Sequence, residues 1–133
     1  MDKRRSSSAL KILYVDDDEN VRKFMARFLT ALNCRVQAAS SGKEAIKLIQ
    51  QQRFDLVMTD LEMPEMDGRD LAKAAKAWQP HCPVILLTGC KAQLELKAEK
   101  LNGIDAIIQK PASLDTLRME ILKWVPASKL PPI

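Results

Sequence analysis

The chain has 133 residues, 47% hydrophobic and 29% charged, with a net charge of +4, which fits one domain that can bury a core without structural metal or disulfides. No apolar run approaches the roughly 20 residues needed to span a bilayer. The three cysteines, Cys34, Cys82 and Cys90, lack CxxC spacing, which argues against a zinc site or a disulfide frame and for free thiols in a reducing cytoplasmic setting.

The first residues, "MDKRRSSS", read as a basic mobile tail over residues 1–8. The apolar part that follows is short, is broken by Lys11 and runs into acids, so no signal peptide is expected. The folded domain is expected over residues 9–126, and residues 127–133 as a tail or linker stub. "LKILYV" predicts a buried strand. It runs into "DDDEN", where Asp16, Asp17, Asp18 and Glu19 crowd together. Two like charges about 5 Å apart at an effective dielectric of about 20 repel by roughly 3 kcal/mol, so such a cluster either splays into water or serves a cation. Asp18 and Glu19 read as acids of a helix N-terminus, favoured by its dipole.

Val21, Phe24, Met25, Phe28, Leu29 and Leu32 then recur as one helical stripe, which Asn33 can end in a left-handed cap. "CRVQAA" predicts a second strand. Ser41 and Glu44 have capping-box spacing and open a helix to about Arg53. "FDLVMT" predicts a third strand, and "MDGRDLAKAAKAW" an alanine-rich helix stopped by Pro80. "PVILLT" predicts a fourth strand, "AQLELKAEKLNG" a helix capped by Gly103, and "DAIIQ" a fifth strand. Ser113 caps a last helix whose inner face carries Leu114, Leu117, Ile121, Leu122 and Val125, with Trp124 as a helix-end anchor.

Five strand–helix units imply a parallel sheet covered on both faces with right-handed crossovers. In such sheets the site lies beyond the carboxyl ends of the strands. Those ends carry Asp16 and Asp17, then Asp60, then Thr88 and Gly89, then Lys110. Three carboxylates, a hydroxyl and an ammonium on one rim suit a phosphoryl group. Asp17 and Asp60 can offer oxygen ligands to Mg²⁺, Lys110 adds positive charge, Thr88 and the Gly89 amide can bind phosphoryl oxygens, and one aspartate can act as nucleophile. His81 has no partner in the pattern and is read as a loop residue.

"VDDDENVR", "DLEMPEMDG", "LLTG" and "QKP", in this order and spacing, resemble the receiver domain of two-component response regulators from about Leu10 to Trp124. The resemblance implies a flavodoxin-like fold with strand order 2-1-3-4-5. It implies Asp60 as phosphoacceptor, Asp17 as a direct Mg²⁺ ligand, Asp16 as one acting largely through water, and the Glu62 backbone carbonyl as the third protein ligand. Thr88 corresponds to the switch hydroxyl and Lys110 to the phosphate-binding lysine; Met63-Pro64 and Asp67-Gly68 match the loop after the acceptor, with Gly68 permitting a tight turn. A sensor histidine kinase or phosphotransfer protein is the implied donor. The implied output is contact with a downstream protein, or homodimerisation, through the face of the fourth helix, fifth strand and fifth helix, where Lys91, Glu95, Lys97, Arg118 and Lys123 are candidate exposed residues. Nucleic acid is not expected as a partner of the domain itself, since basic residues are not interleaved with aromatics.

The chain departs from the family pattern at three places. Ile107 stands where an aromatic is frequent, so the coupling of the switch there must be weaker or different. Ala112 is small where Phe is common, and Gly89 replaces a commoner Ala and should loosen its loop. Cys90 borders the site as a small thiol. Two other functions fit parts of the chain. A binding module of receiver fold that needs no phosphate rests on Ile107 and Ala112. A haloacid-dehalogenase-like phosphatase would use Asp16 as nucleophile and Asp18 as acid, but lacks an acidic pair after Lys110 beyond the scattered Asp115 and Glu120.

Overall fold

The computed structural model describes residues 9–89 and 102–124. In chain order these form β1 (Lys11–Val15), α1 (Glu19–Ala31), β2 (Arg35–Ala39), α2 (Gly42–Gln51), β3 (Leu56–Asp60), α3 (Gly68–Trp78), β4 (Val84–Thr88), β5 (Ala106–Gln109) and α4 (Leu114–Trp124). All four strand pairings are parallel, and the order is β2-β1-β3-β4-β5, as the flavodoxin-like expectation requires. The helix expected before β5, together with Cys90, Lys91, Glu95, Lys97 and Val125, lies outside the described residues, as do both expected tails.

The central strands are buried on both faces because each face is covered by helices. Along β1, Ile12 and Tyr14 enter the layer packed by Met25 and Leu29 of α1, its C-cap Leu32, and Leu117 and Ile121 of α4. Leu13 and Val15 enter the opposite layer, packed by Ala45 and Ile49 of α2 and Leu71, Ala72 and Ala75 of α3. The period-2 alternation of the strand thus sorts residues between two apolar layers.

The helix ends follow their local chemistry. Asp18 caps α1, its side chain accepting from the N–H groups of Asn20 and Val21. At the other end Asn33 takes φ 66°, while the Cys34 and Asn33 N–H groups donate to the Leu29 and Thr30 carbonyls. That is the double bond of a Schellman motif, which satisfies carbonyls the helix leaves open. Ser41 caps α2 by accepting from Glu44 N at 3.1 Å. The Glu44 carboxylate reaches Ser40 N and Oγ instead of Ser41 N, so the box is displaced by one residue.

Two expected core residues are solvated. Phe24 is 54% exposed, because it sits about 100° around the helix from Met25, off the stripe that faces the sheet. Leu114 is 45% exposed; it begins α4, ahead of the turns in which Leu117 and Ile121 reach the core. Trp124, 37% exposed, only borders a groove at the opposite end of the sheet.

Candidate functional site at the carboxyl ends of the strands

Strand β1 delivers the first acids. Asp16 N donates to Ala39 O at 3.1 Å, which extends the pairing with β2 by one residue and turns the Asp16 side chain into the rim. Asp16 is 2% exposed. Its Oδ1 accepts from Asp18 N at 2.9 Å and its Oδ2 from the Tyr14 hydroxyl at 3.1 Å. Its carbonyl accepts from the Arg22 guanidinium at 2.9 Å. Asp17, next in the chain, is exposed.

Strand β3 ends at Asp60, 8% exposed. From beyond β5, Lys110 Nζ reaches Asp60 Oδ1 at 2.6 Å. One carboxylate oxygen each from Asp16, Asp17 and Asp60 lies within 4.8 Å of the others. Burial holds the Asp16 carboxyl above its ordinary value of 3.8, and the nearby Asp60 charge adds to this against the opposing pull of the Asp18 N–H and Tyr14 hydroxyl. Burial, then the Asp16 charge, pushes the Tyr14 phenol up as well. Three carboxylates against one ammonium leave negative charge that a divalent cation can offset. The donor set, all hard oxygen, fits Mg²⁺ and not a soft metal.

The fourth and fifth strands complete the rim. Thr88, 2% exposed, ends β4, and its carbonyl accepts from Lys110 N at 2.8 Å. Gly89 is exposed, and its carbonyl accepts from Gln109 Nε2 at 2.8 Å. A Cβ added at Gly89 would meet no atom within 4 Å, so there is room for the commoner alanine. The Lys110–Pro111 peptide is cis. Ile107 is 8% exposed and packs with Leu61 and Leu86 behind the rim, so a buried aliphatic side chain occupies the place where an aromatic is frequent.

Between Asp60 and α3 the chain makes a tight loop. Glu62 is exposed, Met63 is buried against the layer under α2 and α3, and Glu65 takes φ 70°. Asp67 caps α3 through Arg69 N and Asp70 N. Those bonds and the Arg69 guanidinium outweigh partial burial and hold its carboxyl low. The sequence reading assigns Gly68 to a turn conformation. The structure gives a different reason: Gly68 N donates to Leu61 O at 2.8 Å, and a Cβ there would stand 2.6 Å from the Asp60 carbonyl and collide with Leu86. Close approach, not an unusual φ, demands glycine here.

The structure therefore brings together Asp16, Asp17, Asp60 and Lys110, with Thr88 and Gly89 on adjoining strand ends. Of the candidate exposed residues on the last helix, Arg118 is half-buried, while Lys123 is exposed and paired with Glu120 at 3.1 Å. Sequence reasoning missed Tyr14 and Arg22. The signal for Tyr14 was available: it lies two residues before Asp16, hence on the same face of the strand.

A family model for the response regulator receiver domain matches residues 12–122. The chain belongs to that family. Over 124 residues it is 34% identical to the sensor protein GacS of Pseudomonas syringae pv. syringae, covering 90% of this chain and 14% of that protein. It is 34% identical over 110 residues to the transcriptional regulatory protein GlrR of Escherichia coli K12, covering 83% of this chain and 25% of that one. The chain thus spans a quarter or less of these relatives. Its fold is similar to that of the response regulator protein TrrA of Thermotoga maritima, solved in complex with Mg²⁺ and BeF. The TM-score is 0.77 at 27% identity, covering 87% of this chain and 99% of that one.

Proposed function

We propose that this receiver domain accepts a phosphoryl group on Asp60 from a phosphohistidine of a sensor kinase or phosphotransfer protein. The observation that carries this reading is the convergence of three carboxylates with the Lys110 ammonium 2.6 Å from Asp60. An Asp60 oxygen forms the new bond to phosphorus as the P–N bond of the phosphoimidazole breaks. The bonding pair leaves with the ring nitrogen, which takes a proton from solvent. Lys110 is positioned to bind a phosphoryl oxygen, and Thr88 and the Gly89 amide border the same space.

Asp16, Asp17, Asp60 and the Glu62 backbone carbonyl are the residues that would hold Mg²⁺, which when bound offsets the charge of carboxylate and phosphoryl group. That TrrA was solved with Mg²⁺ and BeF supports this. Geometry favours Asp60 over Asp16 as nucleophile. Both Asp16 oxygens already accept hydrogen bonds, Asp18 is engaged as a helix cap, and the lysine pairs with Asp60. The domain's own chemistry then hydrolyses the acyl phosphate slowly, and the output is a change in contact with a downstream protein or a second copy. Buried, free Cys34 and Cys82 suit a reducing, cytoplasmic setting; among the described residues no helix is long and apolar enough to cross a membrane.

The test is phosphotransfer from a panel of radiolabelled histidine kinases and phosphotransfer proteins. Label is expected to move to the chain from a subset of donors, only with Mg²⁺. Transfer undiminished by a chelator would contradict the proposed site.

A further inference from the structure

Tyr14 is the single tyrosine of the chain, and it is 1% exposed. Its ring belongs to the apolar layer with Ile12, Met58 and Ile85 under α1 and α4. Packing accounts for the ring and not for the hydroxyl, because a phenylalanine would fill the same space. The hydroxyl is spent on one contact, donating to Asp16 Oδ2 at 3.1 Å. The other oxygen, Oδ1, accepts from Asp18 N at 2.9 Å. One donor on each oxygen fixes the plane of the carboxylate, and each oxygen keeps acceptor capacity for a further partner. Without the hydroxyl, one oxygen would lose its anchor while Asp60 still repels the group, and the carboxylate would be free to turn.

We propose that Tyr14 is a positioning residue for Asp16, and that its hydroxyl strengthens the binding of a divalent cation by the cluster of Asp16, Asp17 and Asp60. This rests on the reading of that cluster as a Mg²⁺ site. A donor that orients a metal-binding carboxylate commonly accounts for about 10-fold or more in affinity.

The test is calorimetric titration of Mg²⁺ into wild type, Tyr14→Phe, Asp16→Asn and the double variant, with melting temperatures in EDTA alongside. Tyr14→Phe is expected to weaken Mg²⁺ binding about 10-fold and to add nothing once Asp16 is Asn. Any change of melting temperature in EDTA reports loss of the hydroxyl bond to Asp16 in the metal-free protein and is kept apart from the affinity comparison. As a second readout, wild type labelled at the tyrosine Cζ gives a single resonance. It is expected to shift on Mg²⁺ addition with the calorimetric midpoint, and it decides the matter should Tyr14→Phe not fold. Equal Mg²⁺ affinity of wild type and Tyr14→Phe, equal loss in both Asp16 backgrounds, or an unmoved tyrosine resonance overturns the positioning role. A wild type that binds no Mg²⁺ overturns the site reading beneath it, so the two failures are distinguishable.

Discussion

At the amino ends of the strands, Asp55 accepts from Lys11 N and Asp105 from Val84 N, both at 2.8 Å, and Asp105 also pairs with Lys76 at 2.7 Å. There Gln79 ties three backbone groups together, accepting from Phe54 N and donating to the Ile49 and Gln52 carbonyls. At the carboxyl ends, Asp16, Asp17 and Asp60 bring oxygens within 4.8 Å of one another. The same residue type stitches strands at one rim and stores charge at the other. The difference lies in the balance: at the amino ends each acid meets donors and stabilises the fold. At the carboxyl ends Asp16 and Asp60, although each has a donor, also face each other and Asp17, a repulsion that opposes the fold and that a cation can offset.

The largest effect should come from the stitching rim. Gln79→Ala removes three hydrogen bonds at part-buried positions and is expected to cost about 3 kcal/mol, read as a lower urea midpoint with no change in Mg²⁺ affinity. Asp105→Ala leaves Val84 N and Lys76 without this partner and should cost about 2 kcal/mol by the same measurement. Across the sheet the sign reverses: Asp17→Asn relieves like-charge repulsion and should stabilise the metal-free protein by about 1 kcal/mol in EDTA, a gain that Mg²⁺ erases. Destabilisation by Asp17→Asn in EDTA would break the comparison.

The smallest effect tests an acid on the carboxyl rim that has backbone partners. Hydrogen bonds from Ser40 N and Oγ, opposed by slight desolvation at this exposed position, hold Glu44 below its ordinary 4.5. A depressed carboxyl contributes stability above its unfolded pKa and loses it as pH falls through the folded value. The stability difference between wild type and Glu44→Gln is expected to be about 0.5 kcal/mol near neutrality, as for an exposed, solvent-screened cap. It should vanish below the folded pKa of Glu44, in urea titrations across acid pH.

Legibility in the sequence followed the same division. Strands β1, β3 and β4 were readable because burial on both faces writes itself as continuous apolar runs, and the rim acids were readable because they end those runs. Asp55 and Asp105 were not, since what they do depends on which backbone N–H groups the folded chain places beside them. Tyr14 looked like another buried strand residue; its hydroxyl acquires meaning only when Asp16 is seen one pleat away. Phe24 was misplaced because a helical stripe read from spacing alone is wider than the strip that touches the sheet. Gly68 was recognised for the wrong cause, because close approach to the Asp60 carbonyl is a tertiary fact.

Phosphorylation of Asp60 is the proposed purpose of the crowded rim. The most direct measurement is intact mass after incubation with acetyl phosphate and Mg²⁺. Wild type should gain one phosphoryl group, and Asp60→Asn none, with its folded spectrum intact. Equal phosphate uptake by the two proteins would contradict the account.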